Sequence, residues 1–209
     1  MQTLPSIPQL FLASASPRRQ ELLTQIGVAH LVLRLPPVEG ADEPRLANET
    51  PLAYVQRTAL DKAQRASEWL SLPQQAATAA QIAGQPILAA DTTVALGDTI
   101  LGKPTDAKDA ASILMQLSDQ THTVFTAVVV SADGAIYTAL SESLVTVKAL
   151  SQDEIASYIL SGECFGKAGA YGIQGLAARF IRDLRGSYSG VMGLPLYETT
   201  ELLKIIKIL

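Results

Sequence analysis

The order of signals along the chain predicts an α/β or α+β fold on a mixed β-sheet flanked by helices. Three observations predict it. Short apolar runs bounded by small residues alternate with stretches of helical periodicity, starting with QLFLA at Gln9–Ala13. Two runs rich in Val, Thr and Ala, Thr123–Ser131 and Ala135–Val147, flank Asp133-Gly134, a strong signal for a tight hairpin. A hairpin makes its strands antiparallel, so the sheet is not purely parallel. At 209 residues the chain is expected to form one domain, 1–209, since domains average about 150 residues.

Gln9–Ala13 reads as a buried strand and Ser14–Ser16 as a turn. Ser16 is placed as the N-cap and Pro17 as the first residue of a helix with Leu22, Leu23 and Ile26 inward; Gly27 stops it. Val28–Leu35 is a second strand and Pro36–Glu49 a loop. Thr50-Pro51 opens a helix to about Leu70, with Leu52, Val55, Ala59 and Ala63 inward. Ser71–Gln85 reads as helix end plus loop. Pro86–Leu96 is an apolar strand with Asp91 in its middle, and Asp106 caps a helix carrying Ala110, Ile113, Leu114 and Leu117. After the hairpin, Ser151 and Glu154 form a capping box for a helix ending at Gly162. Gly166–Gly175 is glycine-rich, Arg179–Asp183 a strand, and Pro195 starts a final helix to the C-terminus.

Composition excludes several classes. A net charge of −4 makes duplex DNA and anionic membranes poor partners. Aromatic content of 5% without a stacking stripe weakens any single-strand nucleic-acid reading. The one cysteine, Cys164, excludes an intrachain disulfide, and with two histidines, His30 and His122, it cannot build a Cys/His zinc site. No basic segment precedes the short N-terminal apolar stretch, and no apolar run reaches the roughly 18 residues of a membrane span. The expectation is a soluble, cytoplasmic protein.

Four places carry chemistry. Ser14, Ser16, Arg18 and Arg19 surround a helix N-terminus, whose free N–H groups and dipole attract anions. Two arginines there oppose the dipole, which suits a bound phosphate held by guanidinium forks; the other reading is a capped surface helix with solvated arginines. Asp91 is a charge in an apolar strand, either a ligand of Mg²⁺ or orienter of water, or a turn cap or structural ion pair. Lys103, between Gly102 and Pro104, is a fixed charge suited to a phosphate oxygen or else a solvated turn lysine, and Lys62 on its helix carries the same alternatives. Lys167-Ala-Gly-Ala-Tyr-Gly-Ile-Gln-Gly175 offers close backbone approach with Lys167 and Gln174, or is a plain turn; it matches neither a Rossmann nor a P-loop fingerprint. No role is assigned to His30 or His122, and Cys164 has no base nearby in sequence.

Taken together, LASASPRRQELL, AADTTV, LGKPTDAKDA, KAGAYGIQG and GSY…GLPLYET resemble the Maf family in order and spacing, from about Leu10 to the final helix. That family comprises nucleoside triphosphate pyrophosphatases, first named as septum-formation inhibitors. The resemblance implies an α/β fold of the Maf/ITPase-like kind, with two lobes around a central nucleotide-binding cleft. It also implies a divalent metal (Mg²⁺ or Mn²⁺) and a homodimer. It makes Asp91 the proton acceptor that activates water. It makes Arg18, Thr92 and Gln174 determinants of base preference, and Ser14, Arg19, Lys62, Lys103 and Lys167 the holders of the triphosphate. Glu39 corresponds to a loop glutamate that joins Asp91 at the metal, although Gly40 stands where a second acidic residue is common. Ser189-Gly190 departs from the usual Asn or Ala and is given no site.

Lys103 and Gln174 resemble the dTTP/UTP pyrophosphatase branch. An amide offers a donor and an acceptor to the carbonyl and N3–H of uracil or thymine, although a flipped amide suits cytosine equally. The implied reaction is hydrolysis of a nucleoside triphosphate, dTTP or UTP first, to monophosphate and pyrophosphate, removing non-standard or excess nucleotides (a nucleotide diphosphatase). The alternatives are a pyrophosphatase for 7-methyl-GTP or another modified nucleotide, and a nucleotide-binding regulator of cell division without turnover. Asp91 together with the cations favours the enzyme, since a binder needs no base.

Overall fold

The computed structural model describes residues 10–36, 44–81 and 84–209, without the side chains of 77 and 81. Glu39 and Gln9 therefore lie outside the described residues, as does half of the loop expected over Pro36–Glu49. The fold is α/β: a seven-stranded mixed sheet with helices against it.

The chain opens with β1 (Leu10–Leu12), α1 (Pro17–Gln25) and β2 (His30–Val32). Gly27 takes φ +73° just past α1, and its N–H reaches the Thr24 carbonyl, so it stops the helix as expected. Ser16 is the N-cap of α1 by position, but its hydroxyl makes no capping bond; Ser14 Oγ instead accepts from the Ser16 N–H at 3.2 Å. Then come α2 (Pro51–Ser71), a 3₁₀ turn (Pro73–Gln75) and α3 (Ala76–Gln81). The extra helix departs from the expected loop. Its AATAAQ sequence is rich in the best helix former yet has no apolar stripe for periodicity to find.

Leu52 is another departure, 38% exposed rather than inward. It lies at the edge of the buried stripe of α2, level with Ala63. A small residue deep in the helix is covered there, and a large one in the first turn is not.

The second half contains β3 (Ile87–Leu96), β4 (Thr99–Leu101), α4 (Ala107–Leu117), β5 (Thr121–Ala132), β6 (Ala135–Val147), α5 (Gln152–Leu160), β7 (Ile181–Arg185), α6 (Tyr188–Met192) and α7 (Leu196–Ile205). The expected hairpin is present, with Asp133 and Gly134 both at positive φ, as a primed two-residue turn requires. The capping box of Ser151 and Glu154 is closed in both directions. The strand expected at Arg179–Asp183 starts two residues later, because Leu176–Phe180 coils into a 3₁₀ turn. β4 and α6 were not foreseen; at three and five residues they are too short to show a period.

The strand order is β2-β1-β3-β5-β6-β7, with β4 against β3. β1 runs parallel to β2 and β3, and the other pairings are antiparallel. β5 covers one edge of β3 from Ile87 to Ala95. On the other edge β1 pairs only at Ile87 and Leu88, and β4 only at Val94–Leu96. Between them, at Ala90–Thr93, that edge carries no strand among the described residues. The sheet therefore opens where Asp91 and Thr92 stand.

Apolar packing surrounds this opening. Val55, Ala59 and Ala63 of α2 pack on Phe11, Ala89 and Ala127 on one face. Leu22 and Leu23 of α1 and Leu202 and Leu203 of α7 pack on Leu10, Leu12 and Leu88 on the other. A further core joins α4 and α5 to Val124, Val145 and Phe180 beyond the gap.

Candidate active site

A cleft occupies the opening. Asp91, Thr92 and Thr93 form its floor, Arg18 and Arg19 one wall, and Lys103, Lys167 and Gln174 the opposite wall, with Lys62 entering from α2. Eight residues nominated from the sequence thus meet in one place, although they span from α1 to the 166–175 segment. Ser14 sits behind the wall, in an adjoining cavity that shares Arg19 and Lys62 with the cleft.

Asp91 and Thr92 are adjacent in β3, so their side chains point to opposite faces. Asp91 faces α2. Its Oδ1 accepts from Lys62 Nζ at 2.5 Å and its Oδ2 from Thr58 Oγ1 at 2.6 Å. Lys62 and Thr58 are four residues apart, one turn on the same helix face. Thr58, fully buried, was missed; the i, i+4 spacing to Lys62 was its available signal. The carboxylate is mostly covered, with its side chain 15% exposed.

Thr92 faces α1. Its hydroxyl accepts from Arg19 Nη2 at 3.3 Å and lies 3.0 Å from Thr126 Oγ1 on β5. Arg19 also donates from Nη1 to Ser14 Oγ at 3.1 Å and from Nε to the Gly193 carbonyl at 2.7 Å. Arg18 Nε donates to the Met192 carbonyl at 3.2 Å. Burial and the neighbouring Arg18 pull the Arg19 guanidinium below its usual pKa, and Asp91 pushes it back up.

This geometry adds to one expectation. The two arginines do oppose the α1 dipole, but carbonyls at the C-terminal end of α6 already face them. An anion is thus not needed to explain their placement. The GSYSGVMG segment, which drew no site from sequence, is what aims both arginines; Gly193 itself stands at φ +119°.

On the far wall β4 leads into Gly102-Lys103-Pro104, and the Gly169 N–H bonds the Gly102 carbonyl at 3.1 Å. Gly169 has φ +69°, and a Cβ there would lie 2.9 Å from Val94 Cγ1, so this close approach requires glycine. Lys167 Nζ donates to the Glu163 carbonyl. Burial, then Arg18, pull the Lys167 ammonium below its usual pKa, against the pull of Glu163. Gln174 is exposed at the cleft mouth.

Behind this wall, His122 is 1% exposed and its Nε2 lies 2.8 Å from the hydroxyl of Tyr171, a cleft-lining residue. Its Nδ1 has no hydrogen-bond partner among the described residues. Burial lowers the imidazole pKa from 6.5 to about 4. The unfolded chain then takes a proton near pH 6.5 that the folded chain refuses until about pH 4. This contribution is complete above the unfolded value and fades as pH falls through the interval. It amounts to about 3 kcal/mol by linkage. Denaturant melts of wild type and His122→Gln should converge by about that amount between pH 7 and pH 4. A constant gap between the two would show that the ring does not titrate as inferred.

Among the described residues no group of three His, Cys, Asp or Glu side chains could hold a metal. No helix among them is long and apolar enough to cross a membrane.

Comparison with known proteins places this architecture. The family model for Maf-like proteins matches residues 9–206. A protein of Bordetella avium named dTTP/UTP pyrophosphatase is 53% identical over 200 residues, covering 94% of each chain. One of Ralstonia nicotianae with the same name is 53% identical over 199 residues, covering 94% of this chain and 93% of its own. A third, of Bordetella pertussis, is 51% identical over 197 residues, covering 94% and 92%. With the family match running from the first strand to the last helix, and the motif residues meeting in one cleft, the chain belongs to the family of Maf-like proteins.

Proposed function

We propose that this protein hydrolyses nucleoside triphosphates, dTTP and UTP first, to the monophosphate and pyrophosphate. The observation that carries the reading is Asp91. It is one carboxylate, fixed at both oxygens, on the floor of a cleft whose walls bring Arg18, Arg19, Lys103 and Lys167 toward it. A protein that only bound nucleotide would need the cations but not the base. The activity named for the relatives agrees with it.

Water attacks the α-phosphorus, the bond from that phosphorus to the oxygen bridging the β-phosphorus breaks, and pyrophosphate leaves. Asp91 takes the proton of the attacking water. Thr58 and Lys62 hold the carboxylate in place, so it need not reorganise as the reaction proceeds. Arg19, Lys103, Lys167 and the α1 N-terminus stabilise charge on the departing group.

A divalent cation fits this donor set. Mg²⁺ typically takes one or two carboxylates and fills its shell with phosphate oxygens and water. Each Asp91 oxygen accepts one hydrogen bond and keeps a lone pair. Mg²⁺ or Mn²⁺ at Asp91, with Glu39 as the second carboxylate, would neutralise negative charge on the phosphates.

Gln174 stands at the mouth, where a base edge would meet its amide. A polar group left unpaired on binding costs about 1–3 kcal/mol, or roughly ten- to a hundred-fold. Pyrophosphate release across a nucleotide panel should therefore show dTTP and UTP exceeding ATP and GTP in kcat/KM by at least about tenfold. Gln174→Ala should erode that ratio more than the best rate. A panel led by 7-methyl-GTP would overturn the base assignment, and a panel without turnover would overturn the enzyme.

A further inference from the structure

The wall that carries Gln174 is tied down from behind at three points, all reaching Glu163 or its partner Tyr158. At the start of the segment, Lys167 Nζ donates to the Glu163 carbonyl. In the middle, the Gly172 N–H donates to Tyr158 Oη at 3.3 Å, and that hydroxyl donates to Glu163 Oε1 at 2.9 Å. At the end, the Leu176 N–H donates to Glu163 Oε2 at 2.9 Å. Gln174 lies between the second and third ties.

Sterics agree with the hydrogen bonds. The Glu163 carboxylate fills the space beside Gly175: a Cβ there would sit 2.3 Å from Oε2 and 2.4 Å from Oε1. Gly172 likewise leaves room for the Lys167 stem, 3.0 Å from where its own Cβ would be, and for Gln174 Oε1 at 3.6 Å. Tyr158 is fully buried, and burial followed by Glu163 raises its pKa, so it stays a donor. Hydrogen bonds to an ionised carboxylate are stronger than neutral ones. Nothing in the proposed reaction uses Glu163, which approaches the cleft only through this loop.

We propose that Glu163 is a positioning residue for base selection, its carboxylate fixing through Tyr158 and Leu176 the loop that presents Gln174. The inference rests on the reading that Gln174 meets the base. Removing the carboxylate cuts the Leu176 tie and frees the Tyr158 hydroxyl that holds Gly172, while the Lys167 bond to the Glu163 carbonyl stays, so the stretch around Gln174 loses its hold and its amide is no longer fixed at one edge of the base.

The test is a double-mutant cycle on the preference ratio, kcat/KM for dTTP over that for ATP, measured in wild type, Glu163→Ala, Gln174→Ala and the pair. Tyr158→Phe, which removes only the bridging hydroxyl, serves if Glu163→Ala does not fold. Glu163→Ala should lower the ratio by about as much as Gln174→Ala does, roughly tenfold, and the pair should fall no further. Coupled residues give such non-additive effects, and independent ones add. An unchanged ratio in Glu163→Ala, or additive losses in the pair, overturns the proposal while a low ratio in Gln174→Ala leaves the base reading intact. If Gln174→Ala keeps the wild-type ratio, the base reading itself has failed, and the role of Glu163 fails with it.

Discussion

Asp91→Asn is expected to lower turnover by about 10²–10⁴-fold, the usual contribution of a positioned general base. The substitution suits the site. Asparagine keeps the shape, its Oδ1 can still accept from Lys62, and its amide can donate to Thr58 Oγ1, which has lone pairs to receive it. β3 keeps its pairing with Ala127 of β5. The fold should therefore survive, and Lys62 loses only its ionic partner. Calorimetric titration with a non-hydrolysable dTTP analogue should give an affinity near that of wild type, while steady-state pyrophosphate release collapses. Near-full activity in the variant would reduce Asp91 to a structural ion pair with Lys62. A collapse of affinity that depends on added Mg²⁺ would instead make its main service metal binding.

How much of this site was legible in the sequence depended on range. Asp91 stood out because a charge inside PILAADTTVAL is costly without a purpose, and the strand around it is as long and apolar as expected. The hairpin, the capping box and the Asp106 cap were legible because their signals lie within four residues. The arginine wall was half legible. The sequence put Arg18 and Arg19 in a first turn, but the carbonyls that aim them lie 174 residues away, at the C-terminal end of a helix of five residues. Such a helix is set by its cap, Ser187 bonding the Gly190 N–H at 2.9 Å, and by Gly193, not by any periodicity. Glu163 was illegible for a related reason. It follows a helix stop, where a surface glutamate is ordinary, and only its contacts with Tyr158 and Leu176 distinguish it. The opening in the sheet was not legible at all, because it depends on how few residues of β1 and β4 pair with β3.

Arg19→Ala is expected to lower kcat/KM by about 10²–10³-fold, the loss seen when one preorganised donor to developing charge is removed. The structure adds a second consequence that the sequence did not suggest. Arg19 gives three of its five N–H groups to Gly193, Ser14 and Thr92, so it braces the α1 start against β3 and the end of α6. Truncation leaves those acceptors without their donor, at about 1–3 kcal/mol. For a chain of this size that is roughly 2–4 °C of melting temperature per kcal/mol. Arg19→Lys separates the two roles. It restores the charge, but an ammonium on a single stem cannot serve three acceptors spread around a planar fork. The lysine variant should therefore recover part of the nucleotide affinity by titration and little of the melting temperature. If Arg19→Ala melts early but hydrolyses dTTP at the wild-type kcat/KM, Arg19 is a brace alone, and the phosphate falls to Arg18, Lys103 and Lys167.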